Sequence, residues 1–350
     1  MKNNSKLVNT LLGAMALVLS VAATDAISGT IYSGTLYYTV NLGTPNVNSV
    51  QYNYDETQVV LSGNQALGST TGADGLLFLP DGNLAIGGQH HNLVTELTKS
   101  GSSITTATVF NGAYHLALSG DTVNSTLFTM ANSDTNGHNI NSVNLSSGGL
   151  VPSGPITQYT LSCDGASSGC STDVRGLILN EKTGVWYYGT APDNGAGDFG
   201  SVTFTGTTAS LHRLVTGVYA HGLTWDPYTQ SIIVSSDHYI QQIAANGSII
   251  GEYNNNTSGI EYDQTSSDGK GHLFAASNNG DLTFIDFSGQ SSISNFGYEN
   301  TQFLANNLDD IQPLSGYGSD PSLLPEPSTG TLMVIGLLAW MWADKSRRIN

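Results

Sequence analysis

One pattern recurs five times along the chain and limits what it can fold into. Each copy runs through an apolar strand, a turn containing Gly or Asp, and a second strand ending in small polar residues. A third alternating strand, a Gly turn and a fourth strand follow. The copies begin at ADGLLFLPDGNLAIGGQ (73–89), YHLALSGDTVNSTLFTMANSD (114–134), VRGLILNEKTGVWYYGTAPDN (174–194), AHGLTWDPYTQSIIVSSDH (220–238) and SGIEYDQTSSDGKGHLFAASNN (258–279). The third strands read LVTELTKSG, INSVNLSSG, FGSVTFTG, YIQQIAANG and DLTFIDFSG. Starts lie roughly 40–60 residues apart, the spacing of four-stranded propeller blades. Alternation dominates and no long stretch carries a helical period, so the expected fold class is all-β.

The remaining segments complete a ring. Leu308 to Leu314 reads as a lone first strand, while GTLYYTV (34–40), SVQYNYD (49–55) and VVLSGN (59–64) read as the second to fourth strands of a blade that lacks its first. Pairing them closes a six-bladed β-propeller and leaves no blade edge unpaired. The expected domain spans 28–316, followed by a Gly/Ser/Pro linker, 317–324. A seventh blade would have to lie in 135–172, where the repeat spacing is longest. With 39% hydrophobic residues and 16 Tyr, the chain can bury a core of this size.

Both ends carry processing signatures. Lys2 and Lys6 precede the apolar stretch Leu11–Ala23, which is too short to span a bilayer stably and ends in small residues. Residues 1–26 therefore read as a signal peptide, with cleavage after Ala22, Ala23 or Ala26 each tolerable. At the other end, Pro325-Glu326-Pro327 is followed by a short apolar segment, Leu332–Ala343, and then by Lys345, Arg347 and Arg348. That order resembles the PEP-CTERM sorting signal, over 325–348 of a tail running 325–350, with Asp344 a departure inside the basic cluster. The resemblance implies recognition by an exosortase, transient anchoring in the inner membrane through the tail helix, and a destination at the cell surface, outer envelope or matrix of exopolysaccharide-producing bacteria. Partners implied are the exosortase and secretion machinery, with extracellular polysaccharide or surface proteins beyond them. A plain C-terminal membrane anchor is the alternative. Cys163 and Cys170 sit in one Ser/Gly-rich loop, CDGASSGC; in an exported protein such a pair reads as a disulfide, the alternative being a metal or redox pair.

Charge excludes some partners. The chain has 10 Lys and Arg against 27 Asp and Glu, and five of the ten lie in the terminal segments. Such a surface repels phosphate backbones, so nucleic acid is not an expected partner. Neutral glycans and cations remain.

Because consecutive strands of a blade are antiparallel, the residue before strand one and those after strand two share one end of the blade. Around a ring these positions crowd the mouth of the central channel. The inner positions are Asp74, His115 (or Tyr114), Arg175, His221, Glu261 by its neighbourhood, and Asp309/Asp310. The ends of the second strands add His90, His91, Asp237 and His238, with Asp134, Asp193 and Asn278 at equivalent places. Carboxylates and Asn carbonyls suit a hard cation such as Ca2+, although no cofactor is specified, and His suits acid–base chemistry in lactone hydrolysis or lyase reactions. The competing reading is a wet, polar channel mouth without a ligand. His212 and His272 fall on strands four and two and read as half-buried structural residues. The blades resemble NHL-type, virginiamycin-lyase-like and gluconolactonase-like propellers without a specific motif. The runs at 262–282 and 309–316 resemble segments of PEP-CTERM propeller proteins of unassigned activity. No nucleophile elbow, Walker loop, His-Glu-x-x-His or EF-hand loop is found. Two function classes follow: a non-catalytic surface or matrix module binding glycan, protein or cation, and an exported hydrolase or lyase using the channel-mouth His, Arg and Asp.

Overall fold

The inner strands of the repeats are apolar on both faces, as LAIG (84–87), SIIVS (231–235) and HLFAAS (272–277), where every residue is buried. Outermost strands such as SITTAT (103–108) and IIGEYN (249–254) alternate or are exposed. A strand sandwiched between two neighbouring sheets needs side chains that shed water on both sides, whereas an outer strand needs them on one. A computed structural model describes residues 32–313, apart from 110–111, 121–123, 132–139, 165–168, 193–196, 237 and 256–259. The expected signal peptide (1–26), linker (317–324) and sorting tail (325–350, with Pro325, Glu326 and Pro327) lie outside the described residues. No helix among those described is long and apolar enough to cross a membrane.

The chain is a succession of antiparallel four-stranded sets. β1 (Tyr32–Val40), β2 (Val47–Tyr54) and β3 (Val59–Gly68) come first; β4 (Leu76–Phe78), β5 (Leu84–Gly87), β6 (Leu93–Leu97) and β7 (Ser103–Thr108) form the next sheet. Then follow β8 (His115–Leu118), β9 (Thr126–Met130), β10 (Ile140–Ser146), the short β11 (Val151–Pro152) and β12 (Thr157–Cys163). β13 (Val174–Asn180), β14 (Val185–Thr190), β15 (Asp198–Thr205) and β16 (Thr208–Thr216) are next. β12 pairs in parallel with β16, so these two sets make one nine-stranded sheet. β17 (Gly222–Asp226), β18 (Ser231–Ser235), β19 (Tyr239–Ile243) and β20 (Ile249–Asn254) form a further sheet. β21 (Tyr262–Ser267), β22 (His272–Ser277), β23 (Asp281–Asp286) and β24 (Tyr298–Phe303) form another, and β25 (Leu308–Pro313) ends the described chain.

β25 does not continue the last sheet. It returns to pair with β1, Leu36 opposite Pro313 and Tyr38 opposite Ile311, giving the order β25-β1-β2-β3. The innermost strands then touch in a closed circuit: β4 against β8, β8 against β13, β13 against β17, β17 against β21, β21 against β25, and β25 against β4. This is an all-β, propeller-like arrangement.

Apolar layers between neighbouring sheets make the core. One such layer joins Leu36, Tyr38, Tyr52, Tyr54 and Ile311 to Phe274, Leu282 and Phe284. Ring pairs within it, Tyr54–Phe284 at 4.8 Å and Tyr52–Phe274 at 4.9 Å, add directional contacts to the burial. His272, expected to be half-buried, is fully enclosed at this junction. Its Nδ1 is 2.6 Å from Asp268 Oδ2, and its Nε2 lies 3.8 Å from Asp286 Oδ1. Tyr54 Oη donates to Asp286 Oδ2 at 2.6 Å, tying the closing sheet to the one before it. His212, by contrast, is half-exposed and pairs with Asp164 Oδ2 at 2.5 Å. Cys163 and Cys170 form a disulfide with their Cα atoms 5.9 Å apart.

Candidate functional site at the centre of the ring

Each innermost strand delivers at least one polar side chain to the centre. Asp74 stands two residues before β4, His115 opens β8, Arg175 lies in β13, His221 immediately precedes β17, Asp263 lies in β21, and Asp309 and Asp310 lie in β25. One oxygen each from Asp74 and Asp310 and one His115 ring nitrogen lie within 4.8 Å of one another; so do oxygens from Asp74, Asp263 and Asp309. Asp74 belongs to both groups.

Three bulges make this convergence possible. In a regular strand, successive side chains point to opposite faces, so Asp309 and Asp310 could not both reach the centre. The β1–β25 register shifts between Tyr38 and Val40, leaving Asp309 and Asp310 together opposite Thr39. The β13–β14 ladder shifts between Val174 and Gly176, at Arg175, and the β21–β22 ladder shifts between Tyr262 and Thr265, across Asp263. A bulge turns a side chain away from its regular face and is common at the rim of closed β structures. Glycine supplies the remaining clearance. Gly75 sits at φ +77°, where a Cβ would lie 2.7 Å from the Tyr114 carbonyl oxygen, and its N–H donates to Asp310 Oδ2.

Burial sets the electrostatics. Asp310 is completely buried, and Asp309, Asp74, Asp263 and Arg175 nearly so. Burial first, and then repulsion from Asp310 and Asp263, holds the Asp74 carboxyl well above the usual carboxylate range. Asp309 is raised by burial and by the charges of Asp74, Asp263 and Asp310; Asp310 is raised by burial and by Asp263, against hydrogen bonds from Gly75 and Thr39. Asp263 goes the other way. Burial pushes it up, but the hydrogen bond and charge of His221, at 3.0 Å from Asp263 Oδ1, outweigh that and hold it low. Desolvation pulls His115 down to about 4, with Asp263 opposing and His221 and Arg175 assisting, so its imidazole is neutral at physiological pH. Arg175 is held by a two-pronged contact to Asp173, Nε to Oδ1 at 3.1 Å and Nη2 to Oδ2 at 3.2 Å. Asp309 Oδ2 and Asp310 Oδ1 are buried without a hydrogen-bond partner.

The inner positions read from the repeats, Asp74, His115, Arg175, His221, Asp309 and Asp310, are thus brought to one place, and the ends of the second strands are not. His90 is exposed, and its ring meets Tyr114 edge-on at 5.1 Å, with Tyr114 Oη on Nδ1. His91 is exposed, and His238 places Nδ1 2.7 Å from the Ile260 carbonyl oxygen. Asp237, like Asp134 and Asp193, lies outside the described residues. Glu261 is corrected to Asp263: the bulge in β21 spans Asp263, which stands at the centre, and leaves Glu261 half-buried before it, with its backbone N–H on Ser277 Oγ. Asp173, the partner of Arg175, was missed because it falls before the repeat pattern begins.

No protein-family model matches this chain, and no curated protein matches it. Solved structures of similar shape include a streptogramin B lyase (13% identical, covering 79% of this chain and 88% of that one, TM-score 0.48). A gluconolactonase from Xanthomonas campestris is 11% identical (71% and 84% covered, TM-score 0.46). A functionally unknown protein from Desulfotomaculum acetoxidans is 11% identical (79% and 88% covered, TM-score 0.50). Identities this low say nothing of activity, which must be read from the site's own residues.

Proposed function

We propose that this chain is an exported propeller of six four-stranded blades, the nine-stranded sheet counting as two blades joined at their outer strands, which binds a hard divalent cation at its centre. Through that centre it acts as a binding module for a glycan or protein ligand. The supporting observation is the pair of buried, unpartnered carboxylate oxygens, Asp309 Oδ2 and Asp310 Oδ1, in a cluster where Gly75 and His221 satisfy other oxygens but leave these two unmet. Such groups are costly to bury unless a cation or donor meets them. The ligand atoms of each set lie within 4.8 Å of one another, near enough for one cation to contact all of them at the roughly 2.4 Å of Ca–O bonds. A neutral His115 can join as a nitrogen ligand. The test is calorimetric titration of chelator-treated protein with Ca2+, Mg2+ and Mn2+. One ion per chain, with binding abolished in Asp74→Asn and Asp310→Asn, supports the reading; no uptake by folded protein refutes it.

The export reading rests on the sequence of the two ends, a signal peptide and a PEP-CTERM-like tail read by an exosortase. Intact-mass analysis from the native host should find residues 332–350 removed, and their retention would favour a permanent anchor. A second reading has its own support. His221, oriented by Asp263 at 3.0 Å and sharing the centre with Arg175, has the geometry of a general base beside an anion-stabilising group, as an exported lactonase- or lyase-like enzyme requires. Turnover of a lactone panel that disappears in His221→Ala, but survives in a His90→Ala control, would favour it.

A further inference from the structure

A second site lies away from the ring centre, on the outer face between two neighbouring sheets. Residues of the outermost strands β20 and β24 and of the segment between β23 and β24 line a cavity of about 480 Å³, among them Glu252, Tyr253, Asn254, Phe296, Glu299 and Asn300. Its walls are fixed. The segment before β24 crosses the free edge of β20: Ser294 Oγ accepts from the Glu252 N–H at 2.7 Å and donates to the Glu252 carbonyl at 3.0 Å, and Ser292 Oγ donates to the Ile250 carbonyl at 3.0 Å. The edge is thereby covered, and the groove keeps its shape without a ligand.

The chemistry of the lining is specific. Phe296 packs edge-on against buried Tyr253 at 5.6 Å yet remains 37% exposed, an aromatic surface held in place and open to the groove. Tyr253 Oη donates to Glu299 Oε2 at 2.7 Å, and Gln241 Nε2 donates to Glu252 Oε2 at 3.0 Å. Each carboxylate is thus steadied at one oxygen by a neutral donor, and neither has a cationic partner among the described residues. The exposed Asn254 and the half-buried Asn300 make no side-chain hydrogen bond among the described residues, so both amides offer a donor and an acceptor. No Lys or Arg lines the cavity, which disfavours uronates and phosphates.

We infer that this groove is a binding subsite for a neutral sugar chain. A sugar ring presents an apolar C–H face, which an exposed phenyl ring takes up, and hydroxyls that donate and accept at once. Hydroxyls donating to fixed carboxylates form the stronger, charge-assisted kind of hydrogen bond. A simple cation would use the carboxylates and leave the amides and Phe296 without a role; a hydroxylated ring uses all three. The site is independent of the cation cluster and of the function proposed for it.

The test is calorimetric titration of the exported protein with hexamers of β-1,4-, β-1,3- and α-1,4-linked glucose and of β-1,4-linked mannose, beside hexagalacturonate and spermidine. At least one neutral hexamer should bind one to one. Phe296→Ala and Glu299→Gln should each weaken it by about tenfold or more, as loss of a stacking face or a charge-assisted bond does, without lowering the melting temperature. Ile104→Ala, at an exposed side chain on β7 outside the groove lining, should bind the sugar as the parent does. Failure of every neutral hexamer to bind, binding indifferent to both groove substitutions, or preferential binding of hexagalacturonate or spermidine would each overturn the assignment.

Discussion

Asp310→Asn separates the cost of the central cluster from its use. Asp74, Asp309 and Asp310 all have folded carboxyls that hold their protons above the ordinary value of about 3.9. The folded state therefore binds more protons than the unfolded one, and the slope of unfolding free energy with pH is negative, about 1.4 kcal/mol per pH unit for each retained proton. His115 works in the opposite sense. Its folded value of about 4 lies below the ordinary 6.5, so in that window the unfolded state binds the extra proton and stability rises with pH. Asp263, held low, contributes only below its ordinary value and is spent before this range begins. With three raised carboxyls against one imidazole, the net slope in chelator is negative over the range in which those carboxyls keep their protons, and the opposing His115 contribution ends near its ordinary 6.5. An amide at position 310 keeps an acceptor for the Gly75 N–H but carries no titrating proton, so the slope should flatten by up to about 1.4 kcal/mol per pH unit where Asp310 holds its proton, and the variant should gain on the parent in stability as pH rises. Urea melts in EDTA between pH 5 and 8.5 measure this. Stability that rises with pH above 6.5 in the parent, or a slope in the Asp310→Asn variant equal to the parent's, would refute the reasoning.

Three further substitutions probe the frame. Gly75→Ala places a side chain at φ +77° and a Cβ 2.7 Å from the Tyr114 carbonyl, and should cost about 2–4 kcal/mol in denaturant melts. Tyr54→Phe deletes the 2.6 Å bond to buried Asp286 and should cost about 1.5–3 kcal/mol; an unchanged melt would show that the contact is not made in solution. Replacing Cys163 and Cys170 together by Ser opens a cross-link of sequence separation 7 and should cost about 2–2.5 kcal/mol, read as a lower melting temperature without loss of the central site.

The frame was legible because the blade pattern is local. Strand period and turn residues fix β4 to β6 or β17 to β19 within a few residues of one another, and an unpaired first strand at 308–314 has one partner available, β1. Equivalence between repeats then placed Asp74, His115, Arg175, His221, Asp309 and Asp310 at corresponding depths. It failed at Asp263 because a bulge adds a residue on one side of a ladder and leaves no mark in composition or alternation. The same device lets Asp309 and Asp310, read from the sequence as sharing one inner position, face the centre together. His90 and His238 differ from the inner positions in exposure and partner: both are exposed, one against the Tyr114 hydroxyl and the other on the Ile260 carbonyl.

The most direct measurement is a crystal of the exported protein soaked in Mn2+, with anomalous difference density recorded at the manganese edge. The account predicts a peak at the centre of the ring, within about 2–2.6 Å of oxygens of Asp74 and Asp310, lost in Asp310→Asn. Density confined to surface carboxylates, with the central cluster holding only water, would contradict it.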